Sequence, residues 1–139
     1  MTAYQEMKQR HQSEVNALPL GFCFSNKQFE EMMNKWGLTV NDTDKILSIG
    51  AGGYIRKSDR EAFSEMLERQ ERELKELKRS QKNIYDMFVE EMFDLEYGLT
   101  WDKEAVLDTL GINYEDFANN KVMQEQFAKA HKYVIKHTK

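Results

Sequence analysis

Residues 46–57 read Ile46-Leu47-Ser48-Ile49-Gly50-Ala51-Gly52-Gly53-Tyr54-Ile55-Arg56-Lys57, and this stretch decides the fold class. Two short apolar runs flank a turn rich in glycine. Branched and aromatic side chains favour extended backbone, and glycine supplies the positive φ of a tight reversal, so the spacing predicts a hairpin. Phe22-Cys23-Phe24, just after Gly21, fits a further brief strand. The rest of the chain repeats at helical spacing. The expected class is α+β: a predominantly helical single domain, residues 1–139, with a small antiparallel hairpin or three-stranded sheet.

Upstream of the hairpin, Tyr4, Met7, His11, Val15 and Leu18 recur at three- and four-residue steps, and Pro19 ends that helix. Ser25 with Gln28 forms a capping box for a second helix with the face Phe29, Met32, Met33 and Trp36. Downstream, Ser58 with Glu61 reads as another box. It opens a long charged helix within about 59–97 whose seam is Phe63, Leu67, Gln70, Leu74, Leu77, Gln81, Ile84 and Phe88. Ser80 to Asn83 is its weak point. The seam would accommodate a partner helix, including one from a second copy of the chain. Three segments share one helix-ending chemistry, with glycine in the left-handed position: Trp36-Gly37-Leu38, Tyr97-Gly98-Leu99 and Leu110-Gly111-Ile112. Helices follow at about 101–110, at 114–119 and from about 120, the last facing inward through Met123, Phe127, Ala130 and Val134.

Composition narrows the function classes. Cys23 is the only cysteine, so no internal disulfide forms, and between two phenylalanines it reads as a small buried hydrophobe. The polar segment Met1 to Arg10 is no signal peptide, and no apolar run approaches the ~20 residues of a membrane helix, so a cytoplasmic location is expected. His11, His131 and His137 have no ligand partner at helical spacing, and neither a metal nor a cofactor is expected. No catalytic signature is present, and the reading is that of a non-enzyme. Residues 104–117 resemble a helix-turn-helix, but Glu115 and Asp116 would repel phosphates, so duplex DNA is not an expected partner.

Two features remain. Glycines at Gly50, Gly52 and Gly53, followed by Tyr54, Arg56 and Lys57, could expose backbone N–H groups to an anion or a nucleotide, or could simply turn the hairpin. Between residues 86 and 119, ten carboxylates face one lysine, a balance of −9, whereas residues 120–139 carry +4. The acids are Asp86, Glu90, Glu91, Asp94, Glu96, Asp102, Glu104, Asp108, Glu115 and Asp116. As a field they would dock on a basic groove and steer association; as a solvated face they would only keep the protein soluble.

The set Phe24-Ser25-Asn26-Lys27-Gln28-Phe29-Glu30, Asp42 to Ile46, Gly50 to Lys57, Glu96 to Thr100 and Leu110 to Ile112 resembles a family of small proteins from phages and conjugative elements of gut Firmicutes. That resemblance implies an anti-defence setting. The expected function is a protein-binding inhibitor, anti-CRISPR-like, that blocks a host defence nuclease such as a CRISPR effector through the acidic face. The alternative expectation is a small-ligand or nucleotide-binding module using the Gly50 to Lys57 loop.

Overall fold

A computed structural model describes residues 1–138, so the Lys139 of the basic tail lies outside the described residues. The fold is α+β and mostly helical. In order, among the described residues, it comprises α1 (Ala3–Ala17), β1 (Gly21–Phe22), α2 (Asn26–Lys35), β2 (Ile46–Gly50), β3 (Gly53–Arg56), α3 (Arg60–Leu77), α4 (Gln81–Asp94), α5 (Tyr97–Thr100), α6 (Lys103–Thr109), α7 (Tyr114–Ala118) and α8 (Lys121–His137). Two compact units form, one of residues 10–71 and one of residues 1–9 with 72 onward.

The unit of residues 10–71 holds the sheet, in the order β1-β3-β2 with both pairings antiparallel. The hairpin is as the glycines predict. Gly50, Ala51 and Gly52 have φ of 87°, 52° and 78°, and the register shifts between Ser48 and Gly50. Met32, Met33 and Ile46 are buried here, with Cys23, Phe29, Trp36, Leu38 and Tyr54 packed around them. Length alone argued for one core; this small cluster is a second one.

In the other unit α4 packs chiefly on α8. Phe127 receives the ring edges of Phe88 at 5.0 Å, Phe117 at 5.5 Å and Tyr97 at 5.9 Å. Around this aromatic cluster Met87, Met92, Val106, Leu107, Ala130 and Val134 are fully buried. Met123, expected on the inward face of α8, is only half-buried.

The expected long helix is in fact two. It stops after Leu77, and Ser80 caps α4 by accepting from the Asn83 N–H at 3.4 Å, so the weak point is a true break. The seam also differs: on α3 Met66 is the buried residue, while Leu67 is 46% exposed. Gln70 is committed within the chain, since its Nε2 donates to the His11 carbonyl and to Glu14, each at 3.3 Å. The box at Ser58 is absent. A 3-10 turn, Lys57–Asp59, leads into α3, and Arg56 pairs with Asp59 instead. At α2 Ser25 caps as expected, but Gln28 turns to the Phe24 N–H, at 2.7 Å. Gly37 and Gly111 take the left-handed position. Gly98 does not: it lies inside α5, where a Cβ would overlap Thr138.

Candidate functional site

The acidic residues begin on α4, and there the structure divides them. Glu91 is 4% exposed, so it is no part of an outward face. Its Oε1 accepts the Tyr4 hydroxyl at 2.8 Å and the Lys8 ammonium at 2.7 Å, and Lys8 also reaches Asp94 at 3.3 Å. Burial pushes the Tyr4 phenol up, helped by its bond to Glu91. For Lys8 burial works against the charge, yet the bonds and proximity to Glu91 and Asp94 outweigh it, and its pKa is raised. Glu90 accepts from the Gln5 amide at 2.8 Å, and Asp86 from Lys82 at 3.2 Å. Four of the ten carboxylates are therefore taken up by side chains of α1 or α4 itself.

Beyond α4 the acids are exposed, and several serve helix ends. Asp102 caps α6, accepting from the Ala105 N–H at 3.1 Å. Glu104 lies in the first turn of α6, and Glu115 and Asp116 in the first turn of α7. There a negative charge meets the positive end of the helix dipole. Glu96 and Asp108 remain as exposed acids with no such duty.

A feature the sequence reading missed lies among them. Glu96 and Trp101 bracket α5, and both have a φ of 54°, the left-handed region that residues with a Cβ adopt at a cost. Between and beside these strained positions Leu99 is 69% exposed and Trp101 is 60% exposed. The Trp101 ring stands edge-on to His131, 4.7 Å between centroids, and the His131 Nδ1 shares a hydrogen bond of 2.8 Å with the Tyr97 hydroxyl. Burial raises the pKa of that tyrosine. The α5 turn is thus anchored from below while it presents two large apolar side chains to solvent, flanked by Glu96, Asp102 and Glu104. The available signal was the Leu99 to Asp102 run, apolar side chains beside a capping acid.

In the glycine loop, Gly50, Ala51 and Gly52 shape the turn through their left-handed backbone. The Gly52 carbonyl accepts the Cys23 N–H at 2.9 Å, and a Cβ on Gly52 would stand 2.7 Å from the Phe24 ring. Its glycines therefore serve the turn and the close passage of the Phe22 to Phe24 segment. Tyr54 packs edge-on against Phe29 at 5.8 Å. Lys57 is exposed. Arg56, at the far end of β3, pairs with Asp59 at 2.8 Å and lies 5.9 Å from the Trp36 ring centre, away from the turn. It lines a cavity of about 570 Å³ bounded by α2, β1 and the segment before β1. Among the described residues no group of three or more His, Cys, Asp or Glu is placed to hold a metal, and no helix is long and apolar enough to cross a membrane. Cys23 is half-buried, its thiol 3.3 Å from the Met32 sulfur, and burial raises its pKa.

With this geometry described, the family can be stated. Residues 3–133 match a family of unknown function, DUF7659, and the chain belongs to that family. No curated protein and no solved structure matches the chain.

Proposed function

We propose that the protein acts by binding, without turnover, a partner protein whose surface is basic. One observation carries this reading: Leu99 and Trp101 stand exposed on a strained turn whose neighbours in sequence are Glu96, Asp102 and Glu104, with Lys103 the one cation among them. Folding gains nothing from exposing a tryptophan, whereas interfaces concentrate their energy in such aromatic anchors. The flanking acids supply the complement to arginine and lysine, and an arginine could also stack on the indole face. A second copy of this surface is disfavoured as occupant, because it would bring acid against acid. A groove that normally holds nucleic acid has the right charge. The resemblance to mobile-element proteins makes a host defence nuclease, CRISPR effectors included, the first target to try, and inhibition by occupation the mode of action.

The test uses the full chain immobilised in host lysate, followed by binding of the purified captured protein. Wild type is expected to hold a basic protein whose retention falls as salt rises, because screening shortens to ~8 Å near physiological ionic strength. Leu99→Ala with Trp101→Ala should release it by about a hundredfold in Kd while leaving the helical circular dichroism intact. Glu96→Lys with Asp108→Lys should slow association. Lysines 129, 132 and 136, on the basic α8, should be dispensable. A folded double-alanine variant that still binds the partner as wild type does overturns the reading. So does loss of binding on removing the α8 lysines, which would reverse the polarity of the partner.

A further inference from the structure

From the cavity beside the sheet we infer a second, independent site, for a small molecule that carries a flat ring and one anionic group, carboxylate or phosphate. Its volume of about 570 Å³ lies in the range of small-molecule pockets, roughly 300–1,000 Å³. The apolar lining comes from Trp36, Met32, Pro19 and Leu20. Gly21 belongs to this wall by necessity, since a Cβ there would collide with Met32 and come within 3.1 Å of Trp36. The missing side chain at Gly21 lets strand and helix close beneath the cavity without filling it.

The lining brings two cations, Arg56 and Lys35, beside the carboxylate of Glu31, and Asp59 pairs with Arg56. Arg56 is held ready: Asp59 takes its Nε at 2.8 Å, and the guanidinium stands 5.9 Å from the centre of the Trp36 ring. A guanidinium fixed through Nε still has both terminal nitrogens for a planar anion, a fork that ammonium groups lack. Its orientation is set before any ligand arrives, so little side-chain freedom is lost on binding. A ring lying against Trp36 would place its acidic group toward Arg56, with Lys35 as a second, looser cation.

Trp36 and Trp101 are the only tryptophans, so Trp101→Phe leaves Trp36 as the sole reporter in the full chain. Adenosine monophosphate and benzoate serve as probes, one for each anion. Saturable quenching by at least one is expected, and the better probe identifies the group. Arg56→Met should weaken it by about tenfold, the loss of a charge-assisted contact. Lys35→Met, at an exposed position, should weaken it by about threefold with the fold untouched. The control is Lys45→Met, at an exposed position outside the cavity, and it should change nothing. Absence of saturation by both probes up to about 10 mM, an affinity below ~3 kcal/mol, overturns the inference. Binding that survives both Arg56→Met and Lys35→Met unchanged overturns it equally.

Discussion

The two units close their cores to different degrees, and the difference decides what each can do. Around Phe127 three aromatic rings meet edge to face, and the surrounding aliphatic side chains are sealed from water. Apolar contacts there are used up in stability, which leaves only the surface for recognition. Around Met33 the buried cluster holds Met32 and Ile46, with Ile55 and Met66 buried elsewhere in that unit, while Trp36, Phe29 and Tyr54 stay half open. A three-residue centre cannot fill the space between a helix and a short sheet, so apolar walls remain accessible to a ligand. The exposed Leu99 and Trp101 on α5 and the cavity beside β1 are the two outcomes.

Truncating the two centres tests the comparison most severely. Phe88→Ala should lower the unfolding free energy by about 3–5 kcal/mol, and Met33→Ala by about 2–3 kcal/mol, since a looser site collapses more readily. Denaturant titration that finds Met33→Ala the costlier would invert the contrast. Next comes the turn. Gly52→Val meets both a left-handed backbone and the Phe24 ring and should cost about 2–3 kcal/mol, more than Gly53→Val, whose backbone is ordinary.

On α4 the buried and exposed acids should separate cleanly. Glu91→Ala strands the Tyr4 hydroxyl and should cost about 1–3 kcal/mol, whereas Glu90→Ala should cost less than about 0.5 kcal/mol. The same cluster has a pH signature. Tyr4 and Lys8 both have folded pKa values raised above their ordinary 10.0 and 10.5. Their contribution is therefore complete below pH 10 and is lost as pH climbs past it. Tyr4→Phe with Lys8→Met should flatten the alkaline fall in the urea midpoint between about pH 10 and 12; an unchanged slope would remove the cluster as its cause. A modest effect belongs to the helix break: Ser80→Ala should cost about 1 kcal/mol, read by thermal melting.

Local chemistry was legible and long-range placement was not. The hairpin, the Ser25 cap and the reversals at Gly37 and Gly111 follow from nearest neighbours, and each is found. Gly98 carries the same signature, but it is a glycine for a different reason, the distant Thr138 side chain, which no local pattern announces. Glu91 misled for the same cause. In sequence it is one acid among ten, and only the packing of α1 on α4 turns it inward to Tyr4 and Lys8. The heptad rhythm across residues 63–88 was real in composition, yet Ser80 offers the backbone a cap that competes with continuing the helix. Leu99 and Trp101 escaped notice because exposure cannot be read from a single sequence.

The Tyr4 to Glu91 bond spans 87 positions, and that separation sets a schedule for synthesis. At about 5–20 residues per second a ribosome makes Glu91 roughly 4–17 s after Tyr4. The strands, α2 and the hairpin are all complete in that interval. Tyr4 and Met7 meanwhile have nowhere to bury, because every side chain that receives them has yet to be made. A chain arrested after residue 71 would hold all residues of the sheet-bearing unit, with Tyr4 and Met7 unclaimed ahead of it. Tyr4 and Met7 are thus made before the rest of the Phe127 core and are among the last of it to be buried.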